Sequence, residues 1–198
     1  MIVNKFLNPF VHLSDRLLHA FAIGSTVFGL LVAIFFNVSF DGCIDVHFVE
    51  KITVSKAILY LIISIVILSL TLFVSGRIAN PKTRFIDIVM IVLIARVPLY
   101  LLGLQNINGY GYSQANHLQK LILGSNGDIA AITAALQSVI TFLIITSITG
   151  LAALVYFIIL LYNGYQNATN IKKTKQILVF ALTIIIAEIV AQILLSIC

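Results

Sequence analysis

Two groups of residues hold the chemistry available to this chain. The first is Asp41, Asp45, His47 and Glu50, three acids and a histidine in one short stretch. Carboxylate oxygens in that density can hold a hard cation, and a histidine shifts the preference toward zinc. Their spacing matches no ligand motif. Phe40, Ile44, Val46 and Phe48 interleave with Asp45 and His47, a pattern that predicts an extended, half-buried segment. A loop folded over helix ends, its acids facing Lys51 and Lys56, is the simpler expectation; a cation site at Asp41, Asp45, His47 and Glu50 is the speculative one. The second group is Arg96, Pro98 and Glu188, which interrupt apolar runs.

The elements that carry these residues follow from composition. Hydrophobic residues make up 61% of the 198 positions and charged residues only 10%, against about a quarter in a soluble domain. Mean hydropathy is +1.12. The chain therefore reads as an all-α, polytopic transmembrane helical bundle. Five spans are expected, at about 17–36, 56–76, 85–104, 136–162 and 177–197. The run from Ile129 to Tyr162 exceeds the thickness of a bilayer core. It predicts either one protruding helix, favoured because no polar turn interrupts it, or two re-entrant helices meeting near Thr149–Gly150.

Basic residues orient the bundle. Lys5, Arg16, Arg77, Lys82, Arg84, Lys172, Lys173 and Lys175 fall in alternate connections, and Lys51, Lys56 and Lys120 in the others. The positive-inside bias then puts the N-terminus in the cytoplasm and the C-terminus outside. Residues 1–16 form a short cytoplasmic lead. Asn8–Pro9 is a helix start, and Phe6, Leu7, Phe10, Val11 and Leu13 suit an amphipathic segment lying on the membrane surface. The net charge of +5 reflects these span ends and points to anionic headgroups rather than nucleic acid. Arg77, Lys82, Arg84, Asp87, Lys172, Lys173 and Lys175 are the cytoplasmic-face charges. Cys43 and Cys198 read as free thiols, although a disulfide is topologically possible.

Within the membrane, Arg96 and Glu188 each lie eleven residues past the start of a span that enters from the same side. Both should reach a depth of about 16 Å. Matching depth makes them a candidate charge pair, since an unpaired charge there costs at least about 2.5 kcal/mol. Asp87 is half a helical turn out of phase with Arg96 and should instead meet Arg84 or Arg77. Pro98 should kink the third span and free the carbonyl of Ile94 for Arg96. A structural clamp is the simpler role for the pair, and a proton or ion relay the sharper one. Glu188, Gln192 and Ser196 place a polar face on the fifth span. Ser25 with Gly29, and Ala187 with Ala191, are small-residue pairs suited to close helix contact.

The motifs Asn8-Pro9-Phe10, Asp41-Gly42-x-x-Asp45-Val46-His47, and Thr83-Arg84-Phe85-Ile86-Asp87 leading to Ile94-Ala95-Arg96-Val97-Pro98 resemble the Yip domain family, Ypt- and Rab-interacting five-span membrane proteins, in its prokaryotic-type branch. The resemblance covers nearly the whole chain. It implies a five-span Yip-like membrane domain over 17–198 and a place in a prokaryotic cytoplasmic membrane. Eukaryotic relatives bind Rab-type GTPases and carry a long cytoplasmic N-terminal region that this sequence does not show, so a GTPase partner is not carried over. With no phosphate-binding loop, no zinc-protease motif and no nucleophile–histidine–acid set, the expectation is a non-enzymatic, cofactor-free membrane protein. It would organise the membrane or recruit membrane or peripheral partners. A small transporter or channel using Arg96 and Glu188 is the alternative.

Overall fold

The computed structural model describes residues 6–125, 128–170 and 174–197. Five helical stretches are long and apolar enough to cross a membrane, and the chain is a multi-pass membrane protein. A single turn, α1 (Pro9–His12), leads into α2 (Asp15–Phe36). Two short strands, β1 (Val38–Ser39) and β2 (His47–Phe48), pair antiparallel, with Val38 opposite Phe48. Then come α3 (Val54–Ala79), α4 (Phe85–Ala95) and α5 (Val97–Leu102). A 3₁₀ segment, Gly103–Gly109, joins α5 to α6 (Tyr110–Gly124). Two long helices close the chain, α7 (Ile129–Thr169) and α8 (Thr174–Ile197).

Each element ends where its sequence dictates. Asn37 adopts the left-handed conformation that terminates α2, a position asparagine tolerates better than most residues. Thr53 caps α3 by accepting a hydrogen bond from the Lys56 amide. Asp128 does the same for α7 through the Ala130 amide. Nothing breaks α7 at Thr149–Gly150; it is one helix of 41 residues, about 60 Å long. It extends past the expected span at both ends. The segment 163–169, expected as connecting loop, is its last two turns, because Asn and Tyr side chains there are held by neighbouring segments.

Helix α3 packs most extensively against α8, and α4 lies between α2, α3 and α7. Small residues set the close approaches. Gly29 faces the Tyr100 ring, where a Cβ would come within 2.6 Å of a ring carbon. The Ser25 hydroxyl donates to the Leu93 carbonyl at 3.0 Å, while Ala187 and Ala191 of α8 are fully buried.

Two connections pack on α7. Residues 6–8 of the N-terminal lead are tied to it. Tyr156, Asn163 and Asn167, on one face of α7, donate to the Phe6 carbonyl, the Leu7 carbonyl and the Asn8 side chain. The Phe6 and Leu7 carbonyls are thus satisfied by the bundle itself. The connection after the third span, expected as a loop from 105 to 128, instead forms a full helix, α6, packed on α7. It is secured by Asn106, which is fully buried. Asn106 donates to the carbonyls of Phe36 and Asn37 and accepts from the Tyr112 amide.

Candidate functional site

The centre of the bundle is built by a loop rather than by two helices. Between β1 and β2 the chain does not fold over the helix ends. Val38, Phe40 and Cys43 are buried, and the Cys43 thiol donates to the Ser64 carbonyl at 3.6 Å. Ser64 lies ten residues into α3, about 15 Å along the helix. The apolar residues of the stretch drive it inward. Its non-helical backbone then needs hydrogen-bond partners, because irregular backbone is tolerated at such depth only where protein or trapped water satisfies it.

Arg96 and Glu188 supply those partners. The Arg96 side chain is wholly buried. Its Nη1 donates to the carbonyls of Gly42 and Cys43 at 3.3 and 3.2 Å, and Nη2 to Gly42 at 3.3 Å. Glu188 accepts from the Ile44 amide at 3.0 Å. The Cys43–Ile44 peptide group is therefore held at both ends, its carbonyl on the guanidinium and its amide on the carboxylate. Its dipole lies along the line between the charges, positive end toward the carboxylate, an attractive arrangement. The direct Arg96–Glu188 ion pair is not formed. Equal depth brought the two residues to the same loop, and one peptide unit fills the space between them.

Around this core the polar contacts continue. Gln192 donates to Glu188 at 3.0 Å and to Asp45 at 2.6 Å. A Cβ on Gly42 would collide with Glu188, so a glycine permits the close approach. Tyr100 stacks edge-on with Phe40 and sits 5.7 Å from the Arg96 guanidinium carbon. Arg96 Nε and the Tyr100 hydroxyl have no hydrogen-bond partner. The Glu188–Gln192 face of α8 turns to the loop, while Ser196 is exposed and bonds within its own helix.

The four residues of the speculative cation site separate. His47 pairs with Asp41 at 2.7 Å, Asp45 turns to Gln192, and Glu50 accepts from the Tyr112 hydroxyl at 3.5 Å. Among the described residues no three His, Cys, Asp or Glu side chains gather as a metal site. The inward path of the loop divides them, drawing Asp45 into the bundle and leaving His47 and Glu50 exposed. The hydrogen bond that the His47 imidazole donates to Asp41 holds it above its ordinary pKa.

The third span is interrupted two residues before Pro98. Arg96 has φ −73° and ψ −10°, ending α4, and Pro98 occupies the first turn of α5, where its missing amide is not needed. The guanidinium reaches the loop carbonyls and not the carbonyl of Ile94.

At the other end, Arg84 and Asp87 form a bidentate pair with both contacts at 2.9 Å. Arg77 donates to the Pro81 carbonyl and lies over the Phe73 ring. Lys82 is exposed. Lys172 and Lys173, the side chain of Lys175, and Cys198 lie outside the described residues; Cys43 is a free thiol.

Sequence reasoning singled out Arg96 and Glu188 but missed that a loop receives them. Gly42-Cys43-Ile44, small and apolar amid acids, was the available signal. No protein-family model matches the chain, and no curated protein or solved structure matches it.

Proposed function

We propose that this chain is a non-enzymatic membrane protein that organises the bilayer around it or recruits partners, with its N-terminus and the Arg77–Arg84 turn in the cytoplasm. The observation that carries this reading is the state of the mid-bundle charges. The Nη donors of Arg96 bond backbone of the same chain, and the Glu188 carboxylate holds the Ile44 amide and Gln192. Charges so engaged support a rigid fold rather than a moving substrate. A Yip-like identity and a prokaryotic cytoplasmic membrane belong to the same proposal and rest on the motifs quoted above. The recruiting face would be the cytoplasmic one, where Lys82 is exposed and free of the ties that hold Arg77 and Arg84.

The test sets recruitment against transport. A photo-crosslinking residue at Lys82 in living cells is expected to give a discrete adduct that is lost when Arg77, Lys82 and Arg84 are reversed in charge. The purified protein in vesicles is expected to pass no ions or protons. Flux abolished by Glu188→Gln would replace this reading with the transporter one.

A further inference from the structure

Helix α7 is packed on one face only. Ala135, Val139 and Phe157 are buried on that face, and α3, α4, α5 and α6 pack against the helix. Half a turn away stand Gln137, Thr141, Ile144, Ile148, Leu151 and Val155, all exposed. They follow one another at alternate spacings of four and three residues. That is the heptad register of a helix whose seam meets another helix. The lower part of the seam holds an open groove of about 490 Å³, lined by Ile148, Leu151, Ala152 and Val155 among others. Those four residues stand at i, i+3, i+4 and i+7, the four corners of the hole that receives a knob in a coiled coil. The small side chain of Ala152 leaves the hole open.

We infer that this face of α7 pairs with the same face of a second copy of the chain, the two helices parallel, with Leu151 of each copy seated in the groove of the other. Three observations select this occupant. The heptad register and the four-cornered hole fit the side chains of a helix, not the smooth length of an acyl chain. The 41 residues of α7 include no Asp, Glu, Lys, Arg or His, so a second copy meets no like charge and an ionic partner finds no complement. The seam also outruns the lipid. A hydrocarbon core crossed in about 20 residues, counted from Tyr162, ends near Phe142, and Gln137 and Thr141 continue the register beyond it. Copies inserted in one membrane share an orientation, which sets their seams at the same height and permits a two-fold pair. The inference goes beyond the recruiting role proposed above and does not depend on it.

Disulfide trapping in native membranes reads the register. Ile144→Cys, Ile148→Cys, Leu151→Cys and Val155→Cys are made singly in the Cys198→Ser background and oxidised with copper phenanthroline. Across a parallel two-fold pair each seam residue faces its own counterpart. Each variant is therefore expected to double the apparent mass of the chain on a non-reducing gel. Ile62→Cys on α3 and Ile189→Cys on α8, also exposed but off the seam, should stay at the monomer mass. Ala152 is exposed, so Ala152→Phe fills the hole without entering the packing of its own chain, and it should abolish trapping through Leu151→Cys. The proposal is overturned if no seam cysteine gives the doubled band, if Ile62→Cys or Ile189→Cys is trapped as readily, if Ala152→Phe leaves trapping undiminished, or if the adducts have the mass of a different partner.

Discussion

At the residue scale, the Cys43–Ile44 peptide makes Arg96 and Glu188 interdependent without direct contact. Replacing Arg96 with Met leaves the Gly42 and Cys43 carbonyls without the guanidinium they accept from and strips Glu188 of its nearby positive charge. Each unsatisfied buried group costs about 1–3 kcal/mol, so Arg96→Met should lower stability by roughly 3 kcal/mol. Glu188→Gln keeps an acceptor for the Ile44 amide and should cost about 1 kcal/mol. Since both act on one peptide unit, the double variant should deviate from additivity by at least about 0.5 kcal/mol. Detergent melting curves of the four proteins check this, and strict additivity would mean that the peptide does not couple them. The exposed pair His47–Asp41 gives a pH signature. The imidazole pKa is raised in the fold, so its contribution is fully present below the unfolded value of about 6.5 and is lost as pH rises through the folded value. The melting difference between the parent and Asp41→Asn should therefore be largest on the acid side of that window and fall away above it.

At the element scale, the 3₁₀ segment decides where α6 goes. Asn106 joins the end of α2 to the start of α6 through three hydrogen bonds. Asn106→Ala should free α6 while leaving the bundle intact, because α6 packs chiefly on α7 and the 3₁₀ segment. Hydrogen exchange should quicken across 106–124 and stay unchanged in α3 and α4; equal protection of α6 in the variant would contradict this. The elements differ in how far the sequence reveals them. The apolar runs of α2, α3 and α8 are readable because lipid-facing and core-facing residues are alike hydrophobic, so a span declares itself by length. For the same reason those runs say little about which face packs where. The inward loop and α6 were not legible, since their placement depends on long-range partners, Arg96 and Glu188 for the one and Asn106 for the other. Ser25, Gly29, Ala187 and Ala191 were legible as close-contact residues because only small side chains let helices approach.

At the scale of the whole molecule, the long helix and the distribution of charge describe how the bundle would sit in a bilayer. Helix α7, at about 60 Å, exceeds a hydrocarbon core of about 30 Å. Its first turns, with Thr133, Gln137 and Ser138, stand beside α6 at the same end as the inward loop. The opposite end holds Arg77, Lys82 and Arg84. If the positive-inside bias governs orientation, the Lys82 end is cytoplasmic and the loop is entered from outside. Labelling with a membrane-impermeant maleimide tests this cleanly. Lys51 and Lys82 are both exposed and mark opposite ends, while Cys43 is wholly buried and should stay unreactive, so Cys198→Ser is the one background change required. On intact cells Lys51→Cys should label and Lys82→Cys should not; after the membrane is opened, both should. Labelling of Lys82→Cys from outside would invert the molecule. The recruiting face proposed at the Arg77–Arg84 turn would then lie outside the cell, and the loop held by Arg96 and Glu188 would be entered from the cytoplasm.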